Sequence, residues 1–221
     1  MLLEVSELNK SFIKYRKSFK VLSDFSMKLD RGEMIAVMGE SGAGKSTLLN
    51  IIGGIMRPDS GLILFDSREV NYMMKKEMNS FRKEHIGFIV QDFALIKDRD
   101  VYENIELPLK IRRVPKAQRE RRIMSVLEEV GLAGEARSFP VMLSGGEQQR
   151  VAIARALVIE PDIILADEPT GALDEENSDN ILNMLRALCL KDKAVIVVTH
   201  DKAVAGKCDR VIKLYKGGRR S

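Results

Sequence analysis

Residues 39 to 46 read Gly39-Glu40-Ser41-Gly42-Ala43-Gly44-Lys45-Ser46, and the fold of this chain turns on them. They fit G-x-x-x-x-G-K-[ST] at every fixed position. The run before them, Glu33 to Met38, reads as a short apolar strand. The run after them, Thr47 to Ile52, sets Leu48, Leu49 and Ile52 on one helical face, and Gly53-Gly54 and Pro58 end it. Strand, glycine turn and helix in that order form a phosphate cradle. Glycines let main-chain N–H groups converge on an anion, and the helix start adds its dipole. Lys45 reaches the β- and γ-phosphates, Ser46 offers a hydroxyl to Mg²⁺, and Thr47 is counted with the nucleotide-binding residues. A glycine turn that binds nothing is the plain alternative. The match of every fixed position, in the right context, weighs against it.

Such a cradle alone does not separate ATPases, GTPases and small-molecule kinases. A guanine-reading N-K-x-D is absent, since Asn9-Lys10 is followed by Ser11-Phe12. That favours adenine, which stacks on an aromatic ring. Further along, Ile163-Ile164-Leu165-Ala166 is an apolar strand that ends in Asp167-Glu168. Asp167 is placed for a Mg²⁺ shell, and Glu168 reaches further, to polarise an attacking water. A solvated turn before Pro169 is the competing reading of the two acids. His200 follows a second buried strand, Ala194 to Thr199. Alone it divides evenly between structure and chemistry; beside the other motifs, a γ-phosphate contact is the better reading. Gln91 closes Ile86-Gly87-Phe88-Ile89-Val90, where it is placed to sense Mg²⁺ or water. His85, next to Arg82-Lys83-Glu84, reads as an ordinary surface residue.

Between these motifs, residues 92 to 142 are rich in helix formers. Pro115 suits a first helical turn and Gly131 an end, with Ile123, Val126, Leu127 and Val130 at helical spacing. Leu143-Ser144-Gly145-Gly146-Glu147-Gln148-Gln149-Arg150 then opens a helix that stops before Pro161. Ser144 and Glu147 make an S-x-x-E capping box, which needs no ligand. Two glycines in the first turn nevertheless cost about 1 kcal/mol each relative to alanine. A bare first turn lets a phosphate approach the exposed N–H groups. The chain thus carries two helix-start anion sites, and one nucleotide is sandwiched between them if two copies meet head to tail. Glu175 to Leu188 reads as a further helix. The first 30 residues read as short strands, Leu2 to Val5, Phe19 to Leu22 and Phe25 to Leu29, in a hairpin-rich edge layer.

Bulk composition agrees with one α/β domain. Of 221 residues, 45% are hydrophobic and 31% charged, the balance of an ordinary globular protein. No run approaches the roughly 18 apolar residues of a membrane span, and Met1-Leu2-Leu3-Glu4 does not open like a signal peptide, so a cytosolic chain is expected. Cys189 and Cys208 lie too far apart for a CxxC motif and read as reduced packing thiols. Net charge is +4, with a dense run of Lys110, Arg112, Arg113, Lys116, Arg119, Arg121 and Arg122. A solvated helix face is the favoured reading, and contact with anionic lipid or an acidic partner the sharper one. Without interleaved aromatics, no nucleic-acid partner is expected.

Together these segments resemble an ABC-transporter ATPase over essentially the whole chain, with LSGGEQQR at 143 to 150 resembling the family signature. The resemblance implies an α/β fold with a P-loop NTPase (RecA-like) parallel-sheet core, an N-terminal antiparallel β layer and an inserted helical subdomain. Residues 1–91 and 151–221 would form the core, and 92–150 the subdomain that ends in the signature. It further implies ATP and Mg²⁺ as cofactors, with Phe12 stacked on adenine and Gln91 as the lid glutamine sharing the metal with Ser46 and Asp167. His200 becomes the switch histidine. Ser144, Gly145, Gly146 and Glu147 bind the nucleotide of a partner copy, and Gly171, Ala172, Leu173 and Asp174 form the loop that crosses an ATP-dependent homodimer. A separate integral-membrane permease would hold the subunit at the inner face of the cell membrane. Phe93-Ala94-Leu95-Ile96, residues 101 to 109 and residues 166 to 174 are similar to the branch of macrolide exporters, lipoprotein-releasing complexes and bacitracin-type peptide-resistance transporters. Cargo there is peptide, antibiotic, lipid or lipoprotein. Phe12 for the commoner tyrosine, Val90 before the glutamine, and the charged Lys97-Asp98-Arg99-Asp100 depart from that branch. A soluble ABC ATPase in a non-transport role, and a module that senses ATP without turnover, are the alternatives; an intact Glu168 and His200 oppose the last.

Overall fold

The computed structural model describes residues 1–216, so residues 217–221 of the second core segment lie outside the described residues. Five strands form a parallel sheet: β3 (Met34–Met38), β6 (Ile86–Ile89), β7 (Ile163–Asp167), β8 (Ala194–Thr199) and β9 (Arg210–Lys213), in the order β6-β7-β8-β3-β9. Every residue of β8 is buried. β-Branched side chains suit a strand covered on both faces, where each fully buried one contributes about 1.5–3 kcal/mol. Alternate β8 residues enter two different cores. Val195 and Val197 face the helices α3 (Val101–Ile111), α4 (Lys116–Glu129), α5 (Gly145–Leu157) and α6 (Glu175–Cys189). Ile196 and Val198 face α1 (Lys45–Ile52), α2 (Lys75–His85) and the N-terminal strands.

Those strands form an antiparallel sheet in the order β2-β1-β4-β5, from β1 (Leu3–Lys14), β2 (Lys17–Leu29), β4 (Ser60–Phe65) and β5 (Arg68–Glu69). The two runs expected at Phe19 to Leu22 and Phe25 to Leu29 are one strand. It passes through Asp24 in a left-handed conformation (φ 49°), with register shifts in the facing β1. Such bulges break the alternation that would otherwise mark a long strand. α1 begins at Lys45, two residues ahead of Thr47. α5 is continuous across residues 150 and 151, and α3 packs on both α4 and α5.

Register sets the site. In the parallel sheet Met38 pairs with Thr199, and Asp167 with Val198. Three strands therefore end together, and Gly39, Glu168 and His200 leave the sheet at one carboxyl edge, where ligands of parallel sheets bind.

Candidate nucleotide site

At that edge, Gly44 precedes α1 with φ 100°, and no side chain caps the first turn. The N–H groups there face outward in the arrangement that accepts an anion. An L side chain at Gly44 is excluded twice, by its φ and because a Cβ would lie 2.7 Å from Val21 Cγ1. Lys45 Nζ donates to the carbonyls of Gly39 (2.7 Å) and Glu40 (3.1 Å), which folds the ammonium over the loop. Ser46 Oγ donates to Asp167 Oδ2 at 2.9 Å. A cleft of about 680 Å³ opens here, lined by Val21, Gly39 to Gly42, Gly44 to Thr47, Gln91, Asp167, Glu168 and His200. Ala43 is buried beneath the loop.

Burial pushes the Asp167 carboxyl above its ordinary range. The Glu168 charge adds to this, while the Ser46 hydrogen bond and the Lys45 charge oppose it. A divalent cation there would offset both the burial and the acid–acid repulsion. A hydroxyl and a carboxylate 2.9 Å apart are hard oxygen donors of the kind Mg²⁺ takes. The residues present therefore fit a magnesium–nucleotide complex.

Glu168 adopts φ 47° directly after β7, and its amide donates to Val198 O at 2.9 Å. Both its carboxylate oxygens are engaged. Oε1 accepts from the His200 amide (3.1 Å) and lies 2.6 Å from His200 Nδ1; a carboxylate acceptor places the ring hydrogen on that nitrogen. Oε2 accepts from Thr199 Oγ1 at 3.0 Å. Sequence reasoning selected Glu168 and His200 and passed over Thr199, which read as the last residue of an apolar strand.

Phe12 does not line the cleft. It lies on β1 opposite Phe19 of β2, with Lys10 Nζ 5.6 Å from the ring centre. Val21, on the same strand as Phe19, is the hairpin's contribution to the lining. Gly171 approaches Gln91, where a Cβ would lie 4.0 Å from Gln91 Nε2. Asp174 caps α6, accepting from the Asn177 amide at 2.8 Å and from its side chain. Those bonds from the Asn177 amide and then its side chain hold the Asp174 carboxyl below the ordinary range.

The second anion site stands apart: none of Ser144, Gly145, Gly146 and Glu147 lines this cleft. The capping box is formed, with the Ser144 amide donating to Glu147 Oε2 (2.8 Å) and the Glu147 amide to Ser144 Oγ (3.3 Å). Gly146 has a reason besides anion access. A Cβ there would lie 2.5 Å from Asn177 Oδ1, so α5 needs a bare residue to pass α6. Buried Gln149 donates from Nε2 to Pro169 O at 2.7 Å, tying the same helix to the turn after Glu168.

His85 is no ordinary surface residue. Its Nδ1 lies 2.7 Å from Asp162 Oδ2, and its ring packs 4.3 Å from that of Phe65. The basic run is only partly a solvated face. Arg112 turns in to donate to Ile159 O (2.7 Å), and Arg119 donates to Glu106 and Val114 O; Arg113, Lys116 and Arg121 are exposed.

Known proteins match this arrangement. The family model described as ABC transporter matches residues 22–171. The lipoprotein-releasing system ATP-binding protein LolD of Colwellia psychrerythraea is 41% identical over 216 residues, 97% of this chain and 84% of that protein. The macrolide export ATP-binding/permease protein MacB of Hahella chejuensis is 42% identical over 98% of this chain and 33% of its own length. The chain thus spans about a third of the MacB relatives it matches. Among solved structures, a dimeric bacterial ABC transporter cassette superposes with a TM-score of 0.89 at 37% identity, covering 100% of this chain and 98% of that one. The same cassette is also known as a post-hydrolysis dimer bound to ADP and Pi, likewise with a TM-score of 0.89. With the family model spanning the cradle, the insertion and the Asp-Glu strand end, and LolD aligned over most of its length, this chain belongs to the ABC transporter family.

Proposed function

We propose that this chain binds and hydrolyses ATP as the motor subunit of an ABC transporter, closing as a head-to-tail homodimer to drive a separate membrane permease. The observation that carries the reading is the meeting of two hydrogen-bonded pairs, Ser46–Asp167 and Glu168–His200, at one sheet edge beside Lys45. Gly39 to Thr47 cradle the phosphates, and Lys45 exchanges two loop carbonyls for the β- and γ-phosphates. Ser46, Asp167 and Gln91 hold Mg²⁺, which when bound neutralises charge on the phosphate oxygens. Glu168 takes the proton of the attacking water, and His200 turns to the γ-phosphate. Phe12, exposed on the β1–β2 hairpin outside the phosphate cleft, would stack on an adenine that reaches beyond the cleft lining. Ser144, Gly145, Gly146 and Glu147 of the partner copy close over the nucleotide, while Gly171, Ala172, Leu173 and Asp174 cross between copies.

Residues 1–91 and 151–221 act as the ATP-binding core and 92–150 as the lobe that meets the permease. Among the described residues no helix is long and apolar enough to cross a membrane, which fits a subunit held at the inner face of the cell membrane by its permease. LolD is named for lipoprotein release and MacB for macrolide export. Similarity to both supports a peptide, antibiotic, lipid or lipoprotein cargo.

Phosphate release from the purified chain under Mg-ATP tests the reading. Lys45→Ala should abolish ATP binding, and Glu168→Gln should keep binding while turnover falls about 10²–10⁴-fold, the share a general base supplies. Chelating Mg²⁺ should stop turnover. Wild-type protein that binds ATP without releasing phosphate, or full turnover in Glu168→Gln, would contradict it.

A further inference from the structure

The tethers on Glu168 are unequal. Oε1 is held by His200, through its amide at 3.1 Å and its ring at 2.6 Å, whereas Oε2 is held by the Thr199 hydroxyl at 3.0 Å. The His200 side chain is 75% exposed, so its ring can swing away. Thr199 is 1% exposed, at the end of a strand paired on both sides, so its hydroxyl cannot follow. The direction of its bond is also fixed. Thr199 Oγ1 accepts from the Asp201 amide at 3.0 Å, and its single proton points at Glu168.

We infer that Thr199 is a positioning residue: its hydroxyl anchors Oε2 of Glu168 while the His200 amide keeps Oε1 in place, so that departure of the His200 ring frees a lone pair of Oε1, in a fixed direction, to take the proton of water. This rests on the proposed roles of Glu168 and His200. Glu168 depends on such an anchor because its side chain springs from a left-handed backbone (φ 47°), and among the described residues nothing else bonds Oε2. Without it a single bond, from the His200 amide to Oε1, holds the carboxylate once the ring has left, and the group pivots about that bond so that the water faces a mixture of orientations. Misplacement of a general base by a fraction of an ångström is enough to slow proton transfer strongly.

The test compares Thr199→Val, Thr199→Ser and Glu168→Gln by steady-state phosphate release, ATP titration and light scattering. Thr199→Val should lower kcat at least tenfold, leave KM for ATP and nucleotide affinity within about twofold, and prolong the ATP-bound dimer. Thr199→Ser should restore kcat, because it returns the hydroxyl without the methyl. Melting temperature and ATP binding check that the valine variant folds. Unchanged kcat in folded Thr199→Val, with Glu168→Gln inactive, overturns the anchor and leaves the general-base reading standing. Loss in both valine and serine variants assigns the effect to packing and also overturns the anchor. Full activity in Glu168→Gln would instead remove the reading on which the anchor rests.

Discussion

Asp209 shows how single residues lock distant segments of this chain. It follows Cys208 at the entry to β9, where its Oδ2 accepts from the Met34 amide at 2.8 Å and both its oxygens accept from Arg186 of α6 (2.5 and 2.6 Å). The Arg186 hydrogen bonds lead in holding its carboxyl below the ordinary range, helped by the Met34 amide and against partial burial. A depressed folded-state value means that the unfolded chain takes up its proton first as pH falls. The stabilisation is therefore complete above the ordinary aspartate value near pH 4 and fades below it. Asp209→Asn should flatten the acid limb of thermal stability below about pH 4 while lowering stability at neutral pH. A limb as steep as wild type would contradict this. The nucleotide motif was legible at this scale because a cradle is a local device: Gly39 to Ser46, Asp167-Glu168 and His200 each announce themselves within a few residues. Thr199 and His85 were not legible. What defines each is a partner far along the chain, Glu168 for one and Asp162 for the other, and no spacing in the sequence encodes that contact.

Elements repeat the lesson in their caps. The S-x-x-E box of Ser144 and Glu147 is readable from sequence and formed in the structure. An equivalent box opens α3: the Glu103 amide donates to Asp100 Oδ1 at 2.7 Å, and the Asp100 amide donates back to Glu103 Oε2 at 3.3 Å. It has the same signature, but it lies in a charged stretch, Lys97 to Asp100, that reads from sequence as a departure from the family branch. Asp100 is 9% exposed and also accepts from Arg137, so its charge serves the helix start. Asp100→Ala should cost about 1 kcal/mol for the lost cap, plus a little for the ion pair, read as a lower urea midpoint at unchanged slope. No loss would contradict the capping role. Parallel strands β7 and β8 were legible as continuous apolar runs, whereas β9 buries only Ile212 and gives no such run. α2 was missed for a similar reason, since it buries only Met78 and Phe81 among charged neighbours.

At the scale of the whole molecule, one sheet joins two cores, and the two helix starts suited to phosphate stand apart on it. The cleft around Lys45 contains no residue of the Ser144–Glu147 turn, and in the proposed dimer that turn would come to the nucleotide from a second copy. Within one copy the two sites are linked through the segment after β7. Gln149 of α5 holds Pro169 O, and Gly146 packs on Asn177, which holds Asp174 at the start of α6. In the proposed dimer, closure on one nucleotide would bear directly on the turn that carries Glu168. Head-to-tail closure was already implied by two anion sites in one sequence, but this mechanical link was not, because it depends on how α5 and α6 pack. The most direct measurement is light scattering of size-exclusion-purified Glu168→Gln with and without Mg-ATP. The account predicts a monomer without nucleotide and a dimer with it, while wild type dimerises only transiently as it hydrolyses what holds it together. A Glu168→Gln protein that binds ATP and stays monomeric would contradict the head-to-tail sandwich.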